Sequence, residues 1–524
     1  MANLRASSGI ASAGATLGVA ELISAPIGPN SAPFNAFGSI VIDSTPQNLR
    51  EWVIGTFGTN DKLLLYAAMF LVAIGVAALA GLLERTTRPL GSALFVAFGI
   101  AGVMAACTRA NASWTYALPT LLGSVVGLFT LRMLIRRVDA VPPAKPRQAS
   151  REKSTAATES ATAAPSSEQL ARRRLLGGVV GVGVLALVTG LTGRQLAVRA
   201  NDVSANRAAV RLPAPAEPAA SVPAAAELRV SGLTPFITSN SSFYRIDTAL
   251  TAPQLSTDDW NLRIHGMVDR EVTLSYADLA ERTPIERIFT LTCVSNPVGG
   301  DLTGNARWLG YRVADLLAEA GVRSGADMVL STSTDDFTAG TPLTALTDGR
   351  DALLAIGMNG EPLPVPHGYP ARLVVPGLYG YLSATKWVID LEVTRFDRAR
   401  GYWARRGWST QGPIKTEARI DTPKSSTKLS TGPVAIAGVA WAQRRGVTAV
   451  EVQVDNEDWQ PAQLSEEYSI DTWRQWVYQW NATPGPHTVR ARATDGTGAV
   501  QTAESKDVLP DGASGYPSVS VRVG

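Results

Sequence analysis

At 524 residues the chain is far longer than one hydrophobic core needs, and a formal net charge of +3 with 18% charged residues excludes a broad nucleic-acid surface. Two cysteines, Cys107 and Cys293, exclude an extensive disulfide framework. Long apolar runs are confined to about the first 200 residues, so a membrane part and a soluble part are expected in one chain.

Gly9 to Ser24 is only moderately apolar and carries Glu21; it reads as a first span, an interfacial helix or a cleaved signal peptide with Arg5 as its positive residue. Leu63 to Leu83 is uncharged and long enough to cross a hydrocarbon core of roughly 30 Å. Gly91 to Cys107 and Trp114 to Ile135 predict two more helices, so about four are expected within residues 1–137. Leu175 to Thr192 predicts a fifth, over residues 175–193. Between Arg132 and Arg174 ten Lys or Arg residues stand against four acids, which makes residues 138–174 a basic, disordered cytoplasmic loop. The same reasoning puts the N-terminus in the cytoplasm and everything after residue 194 on the extracytoplasmic side of a cell membrane. "LARRRLLGG", with Arg172 and Arg173, resembles a twin-arginine export signal; plain positive-inside anchoring is the alternative. Glu21 inside a bilayer would be costly and so a functional candidate.

Residues 194–229, with "RLPAPAEPAASVPAAAELR", read as an extended Pro/Ala linker. Residues 230–405 mix strand-like runs with an amphipathic helix from Arg312 to Val322, which predicts an α+β domain. Over 406–524 only short alternating strands recur, with Val450, Val452 and Val454 facing one way and Glu451, Gln453 and Asp455 the other; an immunoglobulin-like β-sandwich is expected.

Cys293 lies in a polar turn, where a free cysteine is ordinarily a small buried hydrophobe. Its neighbours point elsewhere. "FTLTCVSNPVGG", "ARWLGYRVADLLAEAGV" and "MNGEPLPVPHGYPARLVVPGLYGYLSATKWV", in that order, resemble the sulfite oxidase family of molybdopterin-dependent oxidoreductases, and the sandwich is similar to that family's second domain. The resemblance implies a molybdenum-molybdopterin cofactor with Cys293 as the metal ligand, a soft thiolate donor. It implies cofactor contacts from Asn240, Phe243, Tyr244, Arg245, Arg307, His367, Arg372 and Lys386, the last two as cationic donors to phosphate. Arg307 and Trp308 match the segment that walls the metal site, and a tyrosine of the family near the domain junction aligns with Trp408; Cys293, Trp308 and Trp408 are the catalytic candidates.

Sulfite-oxidising members carry arginines where Pro297 and Val298 stand, and an Arg-Asn-His run where Ile246, Asp247 and Thr248 stand. The expected reaction is therefore oxygen-atom transfer on an unidentified substrate other than sulfite. His265, His367 and His487 all lie in the soluble part, which excludes bis-histidine haem in the membrane helices. The expected partners are the lipid bilayer, a quinone or separate electron carrier, and a second copy through the C-terminal domain. The rival reading is a non-catalytic binding module on a decayed cofactor fold.

Overall fold

The computed structural model describes residues 2–46, 49, 52–53, 56–57, 61–109, 112–140 and 167–524. The chain divides into two units, residues 1–202 and 203–524. Most of the expected cytoplasmic loop, residues 141–166, lies outside the described residues, as does the side chain of Arg172 in the export-signal motif.

The first unit contains α1 (Ala2–Ser24), α2 (Pro33–Ser44), α3 (Asp61–Leu83), α4 (Leu90–Cys107), α5 (Ala117–Asp139) and α6 (Ser167–Ala200). All but α2 are long and apolar enough to cross a membrane. The low hydropathy of α1 has a packing cause. Its small residues, with Ser8, Ser12 and Ala20 fully buried, let α3, α5 and α6 approach closely. A Cβ on Gly9 would lie 2.0 Å from the Ala77 carbonyl, so only glycine permits that contact. Helix α6 begins at Ser167 and not at Leu175, because the arginines of the motif extend a helix as well as apolar residues do.

In the second unit β1 (Asn261–Gly266), β2 (Val272–Ser275), β5 (Met328–Ser333), β6 (Thr338–Pro342) and β10 (Val388–Thr394) form a sheet of order β2-β1-β10-β5-β6. Strands β3 (Ile285–Thr292), β4 (Thr303–Arg312), β7 (Leu353–Met358) and β8 (Glu361–Pro362) form another, with β9 (Arg372–Val374) on β7. The amphipathic helix Val313–Ala320 buries Val313, Leu316, Leu317 and Ala320 in the core around Trp260 and Ile264. It ends at Gly321, whose φ of 71° supplies the left-handed cap.

The sandwich packs β11 (Glu417–Thr422), β13 (Gly432–Trp441), β17 (Arg474–Ala482) and β16 (Gln463–Leu464) against a second sheet, in the order β12 (Lys428–Leu429), β19 (Ser518–Val523), β18 (Gly485–Asp495), β14 (Val447–Val454) and β15 (Gln460–Pro461). One wall of it also serves the neighbouring domain. Trp473 donates from Nε1 to the Phe236 carbonyl at 2.9 Å and from its backbone to Thr290 Oγ1 at 2.8 Å, while Gln443 Nε2 donates to the Thr290 carbonyl at 3.2 Å. The sandwich thus grips β3, the strand that leads into Cys293.

Residues 203–229, expected as a free spacer, instead form a strap on the second unit. Arg207 donates to Glu361, Pro362 and Leu363; Glu217 pairs with Arg287 and Arg312 at 2.6 Å each; Leu228 donates to Gln475. An extended Pro-rich chain leaves its backbone polar groups available to neighbours, so the composition that suits a linker also suits a strap.

Candidate active site

Cys293 follows β3 directly, and its N–H donates to the Leu302 carbonyl at 2.9 Å. The turn after it is pinned: buried Asn296 accepts the Leu302 N–H on Oδ1 at 2.9 Å and donates its own N–H to the Cys293 carbonyl at 3.1 Å. Cys293 is 8% exposed and lines a cavity with about 850 Å³ of atom-free space, counted out to its open mouth. Burial pushes the thiol pKa up, opposed by hydrogen bonds from Ser295 and by the charge of Lys386.

The loop of residues 365–372 brings the next two groups in, and Lys386 closes on them from outside it. Gly368 has a φ of 109°, and a Cβ there would lie 3.0 Å from Arg372 and 3.1 Å from Lys386, so glycine is what lets both cations close on His367. His367 Nε2 lies 3.0 Å from the Asn240 carbonyl. A carbonyl only accepts, so Nε2 carries the proton and Nδ1 keeps its lone pair. Burial, then the charge of Arg372, pull its pKa down to about 4, so the ring is neutral at pH 7.

Arg372 is 5% exposed and donates to the carbonyls of His367 at 3.0 Å, Ala384 at 3.3 Å and Leu373 at 3.4 Å, with its guanidinium 5.2 Å over the Trp308 ring. Among the described residues no carboxylate pairs with it. Lys386 Nζ donates to Asp247 at 2.9 Å, and Arg245 reaches the same carboxylate at 2.8 Å. Burial pulls Lys386 down to about 8 against the pull of Asp247. Trp387, beside it on the cavity wall, has a φ of 50°, a conformation that costs a bulky side chain about 1–3 kcal/mol.

Of the residues expected at the site, Phe243, Tyr244, Cys293, His367, Arg372, Lys386 and Trp408 line this one cavity. Asn240 stands behind it, acting on His367 through its backbone, and Arg245 joins through Asp247. Two expectations fail. Arg307 does not reach the cavity; it pairs with Glu286 at 2.7 Å, because consecutive residues of β4 face opposite ways and Trp308 takes the inner side. Trp308 is fully buried and lies beneath Phe243, at 5.8 Å and 87°, as a platform for Arg372 and not as a wall of the metal site.

The sequence reading missed Asp335, Phe337, Tyr381, Trp387 and Trp403 as cavity residues. Tyr381 and Trp387 sit inside the motif quoted above, and the run "GYWARRGW" around Trp403 was an available signal. Burial keeps Asp335 above the usual carboxylate range.

A family model described as "Oxidoreductase molybdopterin binding domain" matches residues 249–403, and one described as "Bacterial Ig domain" matches 417–502. An uncharacterised oxidoreductase, YuiH, of Bacillus subtilis is 34% identical over 153 residues, 29% of this chain and 74% of that protein. Mitochondrial sulfite oxidase of Rattus norvegicus is 30% identical over 292 residues, 47% of this chain and 53% of that protein; the chain spans about half the length of the curated sulfite oxidases it matches. The crystal structure of the sulfane dehydrogenase SoxCD from Paracoccus pantotrophus aligns with a TM-score of 0.46 and 24% identity, covering 52% of this chain and 75% of that one. The chain belongs to the sulfite oxidase family of molybdopterin-dependent oxidoreductases.

Proposed function

We propose that the protein is a membrane-anchored, extracytoplasmic oxidoreductase that uses a molybdenum-molybdopterin cofactor for two-electron oxygen-atom transfer on a substrate other than sulfite. The observation that carries this reading is Arg372, a buried guanidinium with no carboxylate partner among the described residues, in the cavity that also holds Cys293. Such a charge is costly without an anion, and a pterin phosphate is a fitting one. The remaining donors fit as well: Cys293 would hold the metal, neutral His367 would hydrogen-bond the pterin, and Lys386 would add a second cation for the phosphate. When bound, the molybdenum centre supplies the oxygen-atom transfer chemistry. Around it the chain excludes water and orients the substrate with Tyr381, Trp403, Trp408 and Phe337. That aromatic wall favours a neutral substrate over a sulfite dianion.

Five apolar helices support anchoring in the bilayer, and the basic character of residues 138–174 supports an extracytoplasmic second unit. A quinone or a separate carrier would exchange the electrons, and the sandwich offers a surface for a homodimer. Two experiments test the reading. Full-length protein made in a cytoplasm competent for molybdopterin synthesis should carry close to one molybdenum per chain by mass spectrometry; folded protein without metal would overturn it. Protease added to spheroplasts should cut the second unit, and protection of that unit would overturn the topology.

A further inference from the structure

The second unit contains 30 Lys and Arg against 35 Asp and Glu, so it is acidic as a whole. One segment runs the other way. Residues 395–408, "RFDRARGYWARRGW", hold five arginines and one acid, Asp397, which is already paired with Arg395 at 2.9 Å. Arg398, Arg400 and Arg405 are exposed, with no salt bridge among the described residues. The same segment closes the cavity: Trp403 and Trp408 line it, Tyr402 donates its N–H to the Thr338 carbonyl at 2.8 Å, and Arg405 reaches Thr338 Oγ1 at 3.4 Å beside cavity residue Phe337. Rings connect the basic face to the cavity in short steps. The Arg406 guanidinium stacks 3.5 Å over Tyr402; Tyr402 to Trp403 is 5.1 Å between centroids, Trp403 to Trp408 is 6.1 Å, and Trp408 to Tyr381 is 5.9 Å.

We infer that this arginine face is the docking surface of an acidic, one-electron carrier protein, with the Tyr402–Trp403–Trp408 row as the aromatic contact between carrier and cavity. The inference rests on the oxidoreductase reading above. A positive patch on an acidic body steers an acidic partner and repels basic ones. A lipid surface would use the same charge but would have no use for an aromatic row that leads into the cavity lined by Cys293. Electrons balance as follows in the reductive direction: two reduced carriers dock in turn and each loses one electron, the substrate's bond to oxygen breaks, and the oxygen leaves as water with two protons from solvent. The oxidative direction is the reverse, with oxidised carriers as acceptors.

The test needs no turnover. Full-length protein in zwitterionic nanodiscs is immobilised, and an acidic plant-type [2Fe–2S] ferredoxin and a basic c-type cytochrome are passed over it. The ferredoxin should bind, the cytochrome should not, and ferredoxin affinity should fall at least about tenfold between roughly 20 and 200 mM salt. R398E/R400E should weaken ferredoxin binding at least about tenfold, while K424E/K428E, an equal charge change on exposed sandwich residues, should leave it within about twofold. Equal losses in both variants, or no ferredoxin binding at low salt, would overturn the inference. So would retention of anionic vesicles through Arg398 and Arg400 in the absence of ferredoxin binding, which would identify a lipid contact. Molybdenum content measured on the same preparation separates the two readings: metal without docking sinks the carrier face alone, and docking without metal sinks the enzyme.

Discussion

Arg372 and Arg419 are both buried in the second unit, and exchanging each for methionine separates charge kept for a ligand from charge kept for the fold. Burial pulls the Arg372 pKa down from the usual guanidinium range to about 10. At about 1.4 kcal/mol per pH unit, holding its proton there costs about 3 kcal/mol at neutral pH. Arg372→Met removes that cost. It also leaves the His367 and Ala384 carbonyls short of a donor, about 1 kcal/mol each, and loses the contact with Trp308, about 1 kcal/mol. These effects nearly cancel, so stability should change by less than about 1 kcal/mol, or less than about 4 °C in Tm. Arg419 donates to Asp421 at 2.6 Å and to Thr234 at 2.8 Å, and Asp421 is only 2% exposed. Arg419→Met strands that buried carboxylate and should cost about 3–5 kcal/mol. Thermal unfolding of the metal-free full chain reads the stability, and mass spectrometry reads molybdenum, which should fall below about a tenth per chain in R372M alone among the folded fractions. An R372M protein destabilised as much as R419M, or one with full metal, would refute the assignment of Arg372 to an anion.

Cys293→Ser should keep Tm within about 3 °C of the parent, since the swap conserves volume, yet abolish molybdenum retention; undiminished metal would remove Cys293 from the ligand role. His367 protonates near pH 4 in the folded protein against 6.5 when free, so between these values the unfolded chain binds more protons and stability falls as pH drops. The loss should reach about 3 kcal/mol by pH 4 and be absent above about pH 6.5. His367→Asn keeps an N–H for the Asn240 carbonyl without titrating, so its pH–stability slope in that window should be flatter, and equal slopes would refute the burial argument. Trp473→Phe removes one of two donors to the Phe236 carbonyl, leaving Asn305 Nδ2 at 2.9 Å, and should cost about 1 kcal/mol. If the sandwich positions β3, the same variant should also lose molybdenum faster on dilution; parental retention would show that β3 does not depend on it.

Linear patterns settled much of this protein. Uncharged runs of bilayer length give apolar helices whatever they pack against, period-two alternation around Val450 gives sandwich strands, and Cys293, His367, Arg372 and Lys386 stand in contiguous motifs. Other features depend on which residues become neighbours in space. "RLPAPAEPAASVP" has the composition of a spacer, and only the pairing of its Glu217 with Arg287 and Arg312 makes it a strap. Arg307 and Trp308 are adjacent in sequence, and strand geometry sends one to Glu286 and the other beneath the cavity. That Arg372 lacks an acid partner among the described residues while Lys386 has Asp247 follows from contacts 139 residues apart in the second case. Charge compensation is a property of distances of a few ångströms, which the order of residues along a chain does not encode locally.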